Sequence, residues 1–225
     1  MKVVVKIGGF LFGDKPDQGS INSYAQVLRD IHRQGQEVVA VTGGGETARK
    51  YITAARALGA NEAQCDQIGI YSARLNARLL ISALREDAFP EVPETVEELG
   101  RYFLAGKIVV MGGLQPAHST DAVAAVAAET IGADVFVKTT DAPGVCTKDP
   151  KKHPDAKKLD QISVQKLFEI VSDRPLTAGE YELIDPIALK VISRSRILTW
   201  IVPGDDPANI EKALRDEHVG TKVIP

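Results

Sequence analysis

The stretch Val38-Val39-Ala40-Val41-Thr42-Gly43-Gly44-Gly45-Glu46-Thr47-Ala48-Arg49-Lys50 decides the fold. It reads as a buried strand that breaks at three glycines and resumes as a helix headed by Glu46. Glycines let backbone N–H groups approach an anion with no side chain in the way. The helix start adds unpaired donors and the positive end of a dipole. Arg49, one turn in, offers a planar fork that fits a phosphate. Alone, the stretch reads equally well as a phosphate cradle or as a glycine-rich turn without a ligand.

The same grammar recurs on either side. Val3-Val4-Val5-Lys6-Ile7 is a β-branched run that ends at Gly8-Gly9, and Ile108-Val109-Val110-Met111 ends at Gly112-Gly113. Further strands are expected over 134–138, 197–202 and 221–224. Helical spacing of apolar residues predicts helices over 21–34, 46–58, 62–87 and 94–105. More follow over 121–130, 163–171, 185–194 and 207–215. Ser119 or Thr120 can cap the helix at Asp121, and Pro186 takes the favoured first position of its helix. The segment 142–159 is rich in Pro, Lys and Asp and reads as a surface excursion. In the long helix, Ile68, Tyr71, Leu75 and Leu79 form one stripe, with Ile70, Leu80 and Ile81 as extra apolar positions. That helix suits a subunit contact as well as a core.

Strands and helices alternate from 1 to 225 without linker or repeat. The pattern predicts one α/β domain, a mostly parallel central sheet covered on both faces in an α/β/α sandwich. Ligands of such sheets bind at the carboxyl ends of the strands. The three glycine turns would share that rim, which favours the phosphate reading.

Composition narrows the partners. The chain has 225 residues, 44% hydrophobic and 25% charged, with 27 basic and 30 acidic residues and a net charge of −3. That balance implies no basic surface for a nucleic acid polymer. A small anionic substrate needs only a local site. Cys65 and Cys146 have no metal-ligand spacing, and a reducing compartment is expected. The apolar start, 1–12, is too short and too interrupted for a membrane span or a cleaved signal, so a cytoplasmic protein with no membrane partner is expected.

Two motifs fail on inspection. Gly100 to Lys107 has five residues between its glycines, lacks the following Ser or Thr, and precedes a strand, unlike a P-loop. Gly43 to Ala48 fits a dinucleotide fingerprint, but Asp66 lies near the start of a helix and not at a strand end, leaving only a remote alternative. The stretch Val137 to Pro150 ends a strand in Thr139-Thr140-Asp141 and turns at Pro143-Gly144. It can hold a base and ribose, or be a plain surface loop.

Taken together, these pieces resemble the amino acid kinase superfamily, and within it the short archaeal-type uridylate (UMP) kinases. The matching segments are Lys6 to Gly9, Gly43 to Tyr51, Gly112 to Ala125, Thr139 to Pro150 and Ile184 to Pro186. They follow family order and cover nearly the whole chain. The resemblance implies ATP-dependent phosphorylation of UMP to UDP with Mg2+, in a three-layer fold, as a homo-oligomer, usually a hexamer. It also implies an acceptor side in the N-terminal part and an ATP side in the C-terminal part. Lys6 looks like the lysine that steadies the transferring phosphoryl group, and Gly8, Gly9 and Gly45 like its backbone cradle. Gly44, Arg49, Asp66 and the loop Leu114, Gln115, Pro116, Ala117, His118, Ser119 and Thr120 look like the UMP site. Thr140, Asp141, Cys146 and Asp149 look like the ATP site, to which Arg49 is also assigned. Cys146 stands where family members usually carry Tyr or Phe, and reads as a small apolar wall.

Phosphoryl transfer needs positioning and charge neutralisation more than covalent catalysis. A phosphate monoester is anionic near neutral pH, with its second pKa near ~6, so no general base is required. Asp121 is expected to orient Lys6; its bland alternative is charge stabilisation of a helix start. Lys6 is otherwise a snorkelling strand lysine. His118 stays outside catalysis, Asp185 either joins the charged network or caps its helix, and the metal ligands are left open. Competing readings are another superfamily kinase, acting on a carboxylate, carbamate or isoprenoid phosphate, and a non-catalytic oxyanion-binding protein.

Overall fold

The computed structural model describes residues 1–148, 153, 155–172 and 183–225. In chain order the elements are β1 (Lys2–Ile7), α1 (Gln18–Arg33), β2 (Glu37–Thr42), α2 (Gly45–Ala57), α3 (Glu62–Leu84), α4 (Val96–Phe103), β3 (Val109–Met111) and α5 (Thr120–Ile131). They continue as β4 (Val135–Thr140), β5 (Gln161–Ser163), α6 (Val164–Ser172), α7 (Pro186–Ser195), β6 (Leu198–Pro203), α8 (Ala208–Leu214) and β7 (Thr221–Ile224). Short 3-10 turns lie at Gly9–Leu11 and Arg85–Asp87.

The strands form one sheet in the order β3-β2-β1-β4-β6-β7-β5. Every pairing is parallel except β6 with β7. The first glycine turns therefore do share a rim, because β3, β2 and β1 are parallel neighbours. Strand β5 was not expected. It has a single inward residue, Ile162, between exposed Gln161 and Ser163, too little for a periodicity to register.

Alternation along each strand sorts the core into two layers. Val4, Val39, Val41 and Phe136 face the layer of α5, α6 and α7, whereas Val3, Val5, Val38 and Val137 face α1, α3 and α8. Lys6 and Lys138 lie two residues beyond Val4 and Phe136, so both aim into the α5 layer. They are also direct partners in the β1–β4 register.

Helix α5 lies close on the sheet because its buried side is almost all small: Ala122, Ala124, Ala125, Ala127 and Ala128. Alanine loses no side-chain entropy there. Ser119 caps its start by accepting from the Ala122 N–H at 3.1 Å, and Gly132, in left-handed conformation, ends it.

Helix α3 corrects the apolar stripe. Tyr71 and Leu75 are 62% and 63% exposed, and Leu79 is 38% exposed. The core side is instead Ile70, Ala73, Ala77, Leu80 and Leu84. Ile70 and Leu80, taken as extra contact positions, are buried in the monomer. Two apolar faces fit one 3.6 period, and spacing alone does not say which one the sheet covers.

Candidate active site

The glycine turns are built by mutual contact. A Cβ on Gly9 would lie 3.2 Å from the backbone of Gly45, and one on Gly43 would lie 3.2 Å from the Gly9 nitrogen. Gly45 has φ +68°, and a Cβ there would meet the Phe12 carbonyl at 2.2 Å. Only glycine meets both demands. Helix α3 fixes the turn from behind. Asn76 Nδ2 donates to the Gly43 carbonyl at 2.8 Å and Ser72 Oγ to the Gly44 carbonyl at 2.9 Å. In a trans peptide the N–H points opposite to the carbonyl. The N–H groups of Gly44 and Gly45 therefore turn away from α3.

Gly8 differs. Its N–H donates to Thr139 Oγ1 at 3.1 Å, and a Cβ would strike the Phe10 ring at 2.4 Å. Its N–H is thus already engaged by β4, and its lack of a side chain leaves room for Phe10. Gly112 and Gly113 are also packing glycines: a Cβ on Gly112 would sit 2.5 Å from the Arg74 backbone nitrogen.

Asp121 stands between two lysines. Its Oδ1 lies 3.1 Å from Lys6 Nζ, and Lys138 Nζ reaches Oδ1 at 2.6 Å and Oδ2 at 2.5 Å. All three are buried: Lys6 7% exposed, Asp121 7% and Lys138 4%. Burial works against the Asp121 carboxylate, but the charges of Lys138 and Lys6 outweigh it and hold its pKa well below the usual range. Burial pushes the Lys138 ammonium down to about 8, with Lys6 adding to that and Asp121 resisting. Asp121 lies within ion-pair distance of Lys6, the residue it was expected to orient. Lys138 was missed, because a lysine in a strand reads as a snorkelling residue until the register puts it opposite Lys6.

The loop 114–120 is held by charged groups. Ala117, with φ +64°, gives its N–H to Asp66 Oδ2 at 2.8 Å. Arg74, anchored to Glu94 at 2.6 Å, donates to the carbonyls of Gly113 at 2.9 Å and Leu114 at 3.3 Å. His118 Nε2 lies 3.4 Å from Gln115 Nε2. Asp66 therefore sits beside the loop that resemblance groups it with. Ser119 Oγ donates to Asp185 Oδ2, and Asp185 Oδ1 accepts the Ile187 N–H at 2.6 Å. Asp185 thus caps α7 and ties it to the start of α5. Thr120 Oγ1 lies 3.6 Å from where a Gly43 Cβ would be. Arg49 is exposed and has no side-chain partner among the described residues.

On the other side of β1, Thr140 ends β4 and its carbonyl accepts the Gly204 N–H at 2.8 Å. Asp141 is exposed beside it. Cys146 is 2% exposed and bridges in antiparallel fashion to Lys158. Asp149 lies outside the described residues. Among the described residues no group of three His, Cys, Asp or Glu side chains is placed to hold a metal ion, and no helix is long and apolar enough to cross a membrane.

Residues 1–203 match the model of the amino acid kinase family. A uridylate kinase of Methanobrevibacter smithii is 45% identical over 224 residues, covering 100% of this chain and 99% of that one. A uridylate kinase of Methanothermobacter thermautotrophicus is 45% identical over 225 residues, with both chains fully covered. The crystal structure of uridylate kinase from Archaeoglobus fulgidus superposes with a TM-score of 0.89 at 43% identity, covering 99% of this chain and 100% of that one. By sequence and by fold, this chain belongs to the amino acid kinase family.

Proposed function

We propose that the protein is a UMP kinase that moves the γ-phosphoryl group of ATP in line onto UMP, giving UDP for pyrimidine nucleotide synthesis. The observation that carries this reading is the buried Lys6–Asp121–Lys138 cluster, together with the mutually packed Gly9, Gly43 and Gly45 turns, which Thr120, the neighbour of Asp121, approaches at Gly43. It joins net positive charge to a side-chain-free rim, as phosphoryl transfer requires. The uridylate kinase names of full-length relatives supply the acceptor.

In this reading the single domain has two sides. The N-terminal part binds UMP through Gly44, Arg49, Asp66 and the loop 114–120. The C-terminal part binds ATP through Thr140, Asp141, Cys146 and Asp149. Lys6 steadies the phosphoryl group in flight, with Gly9 and Gly45 as backbone donors. Both oxygens of Asp121 are committed to lysines, so the donor set fits a magnesium ion that arrives on ATP more than a resident one. Magnesium bound with ATP would supply charge neutralisation on the phosphates. An enzyme of free nucleotides with buried thiols suits a reducing cytoplasm.

An ADP-release assay over a panel of acceptors tests the reading. UMP should be the preferred acceptor. Turnover only with an isoprenoid phosphate, a carbamate or a carboxylate would replace it. Arg49→Ala should raise the KM for UMP roughly tenfold to hundredfold, the worth of a charge-assisted contact of ~1.5–3 kcal/mol, and move the ATP value less. Asp66→Ala should also weaken UMP and narrow its advantage over dUMP. A change confined to ATP would reverse the two sides.

We also propose a homo-oligomer, a hexamer by family resemblance, with the exposed stripe of Tyr71, Leu75 and Leu79 as a contact. Three large apolar groups on one helix face are unusual on a free surface. Leu75→Glu should lower the sedimenting mass at micromolar concentration. An unchanged mass would move the contact elsewhere.

A further inference from the structure

We propose that Lys138 is a positioning residue for phosphoryl transfer, setting through Asp121 both the charge and the reach of Lys6. This rests on the kinase reading above and deepens it. Without Lys138, Lys6 and Asp121 would be a neutral pair, and a carboxylate with two open oxygens would draw the Lys6 ammonium fully onto itself. Lys138 prevents this by occupying both oxygens, at 2.6 and 2.5 Å, and leaves Lys6 a single contact at 3.1 Å. An ammonium has three donors, so Lys6 keeps N–H groups for a phosphoryl oxygen. The cluster also keeps a net charge of +1 in a low-dielectric site, where charge acts more strongly than in water.

The position supports a functional origin. Lys138 lies on β4, the middle strand of the seven, all of whose residues are buried. A lysine there is expensive to bury, and an apolar residue would serve the core better. Its register partners are Lys6 on β1 and the apolar Ile201 on β6. The charged groups acting on it are Asp121 and Lys6. With its ammonium pushed down to about 8, the cluster loses its excess charge on the alkaline side.

The test is Lys138→Met, of similar length and without charge, with Lys138→Gln beside it in case Met misfolds. Thermal melting and UMP binding establish that each variant is folded. The expected result is a kcat lowered roughly 30-fold or more, with the KM for UMP and for ATP within about threefold of the parent. The parent should lose kcat/KM for ATP above an apparent pKa near 8, and the variants should lack that limb. A folded variant with kcat within about twofold of the parent, or one retaining the alkaline limb, overturns the proposal. A parent inactive on UMP counts against the acceptor instead, and the same split is then read with the acceptor it does use.

Discussion

Asp121→Asn is expected to be the most damaging substitution in the chain, costing about 3–5 kcal/mol of stability as well as activity, because it strands buried charge without a partner. Two lysines would remain in the α5 layer, 7% and 4% exposed, facing a neutral amide. Urea unfolding should show the loss as a lower midpoint with an unchanged slope. The variant should also acquire a distinct pH dependence. Even in the parent, Lys138 binds its proton more weakly folded, at about 8, than in its ordinary range at 10.5. Between those values the unfolded chain holds more protons, so this group makes stability rise with pH. Asp121 is what holds the Lys138 pKa up. Its loss widens the window downward, so the variant should gain stability from pH 7 to pH 9 more steeply than the parent. A variant as stable as the parent at pH 7 would mean that the two lysines find other partners.

Lys6→Met is expected to have the largest effect on turnover alone. Asp121 and Lys138 would remain as a balanced pair, so the fold should survive with a similar melting temperature. One of the two ammonium groups of the cluster would be gone. Loss of one preorganised electrostatic stabiliser typically lowers kcat by about 10²–10³. UMP binding should change little, because Arg49 and the loop 114–120 are untouched. The check is a pair of measurements, single-turnover phosphoryl transfer and equilibrium UMP binding. Equal losses in both would make Lys6 a binding group and move the catalytic charge elsewhere.

Much of this was legible in the sequence, and the residues show why. Lys6, Gly9, Gly45 and Asp121 stand next to turns and helix starts, where residue type and local position carry meaning together. The parallel order of β1, β2 and β3 follows from the strand–helix alternation. What was not legible depended on register or on facing. Lys138 matters only because it pairs with Lys6 across the sheet. Ser72, Asn76 and Arg74 sit in a long helix and look like ordinary polar positions until the helix is laid against the glycine turns. The outward stripe of Tyr71, Leu75 and Leu79 has the same spacing as the inward one, and small residues such as Ala73 and Ala77 carry little signal for the covered side.

The placement of α3 has a consequence for which changes this chain can tolerate. Ser72 and Asn76 hold the Gly43–Gly44 turn, the backbone at Ala73 and Arg74 abuts Gly112, and Arg74 braces the loop beyond Gly113. These contacts fall within five successive residues and reach two different strand ends. A slip of the helix by one residue would break all of them together. The segment is therefore keyed like a ratchet pawl between two teeth. Point changes on its outward face leave the key intact, whereas an insertion or deletion anywhere from 45 to 72 would have to be absorbed before Ser72 or lose the cradle outright.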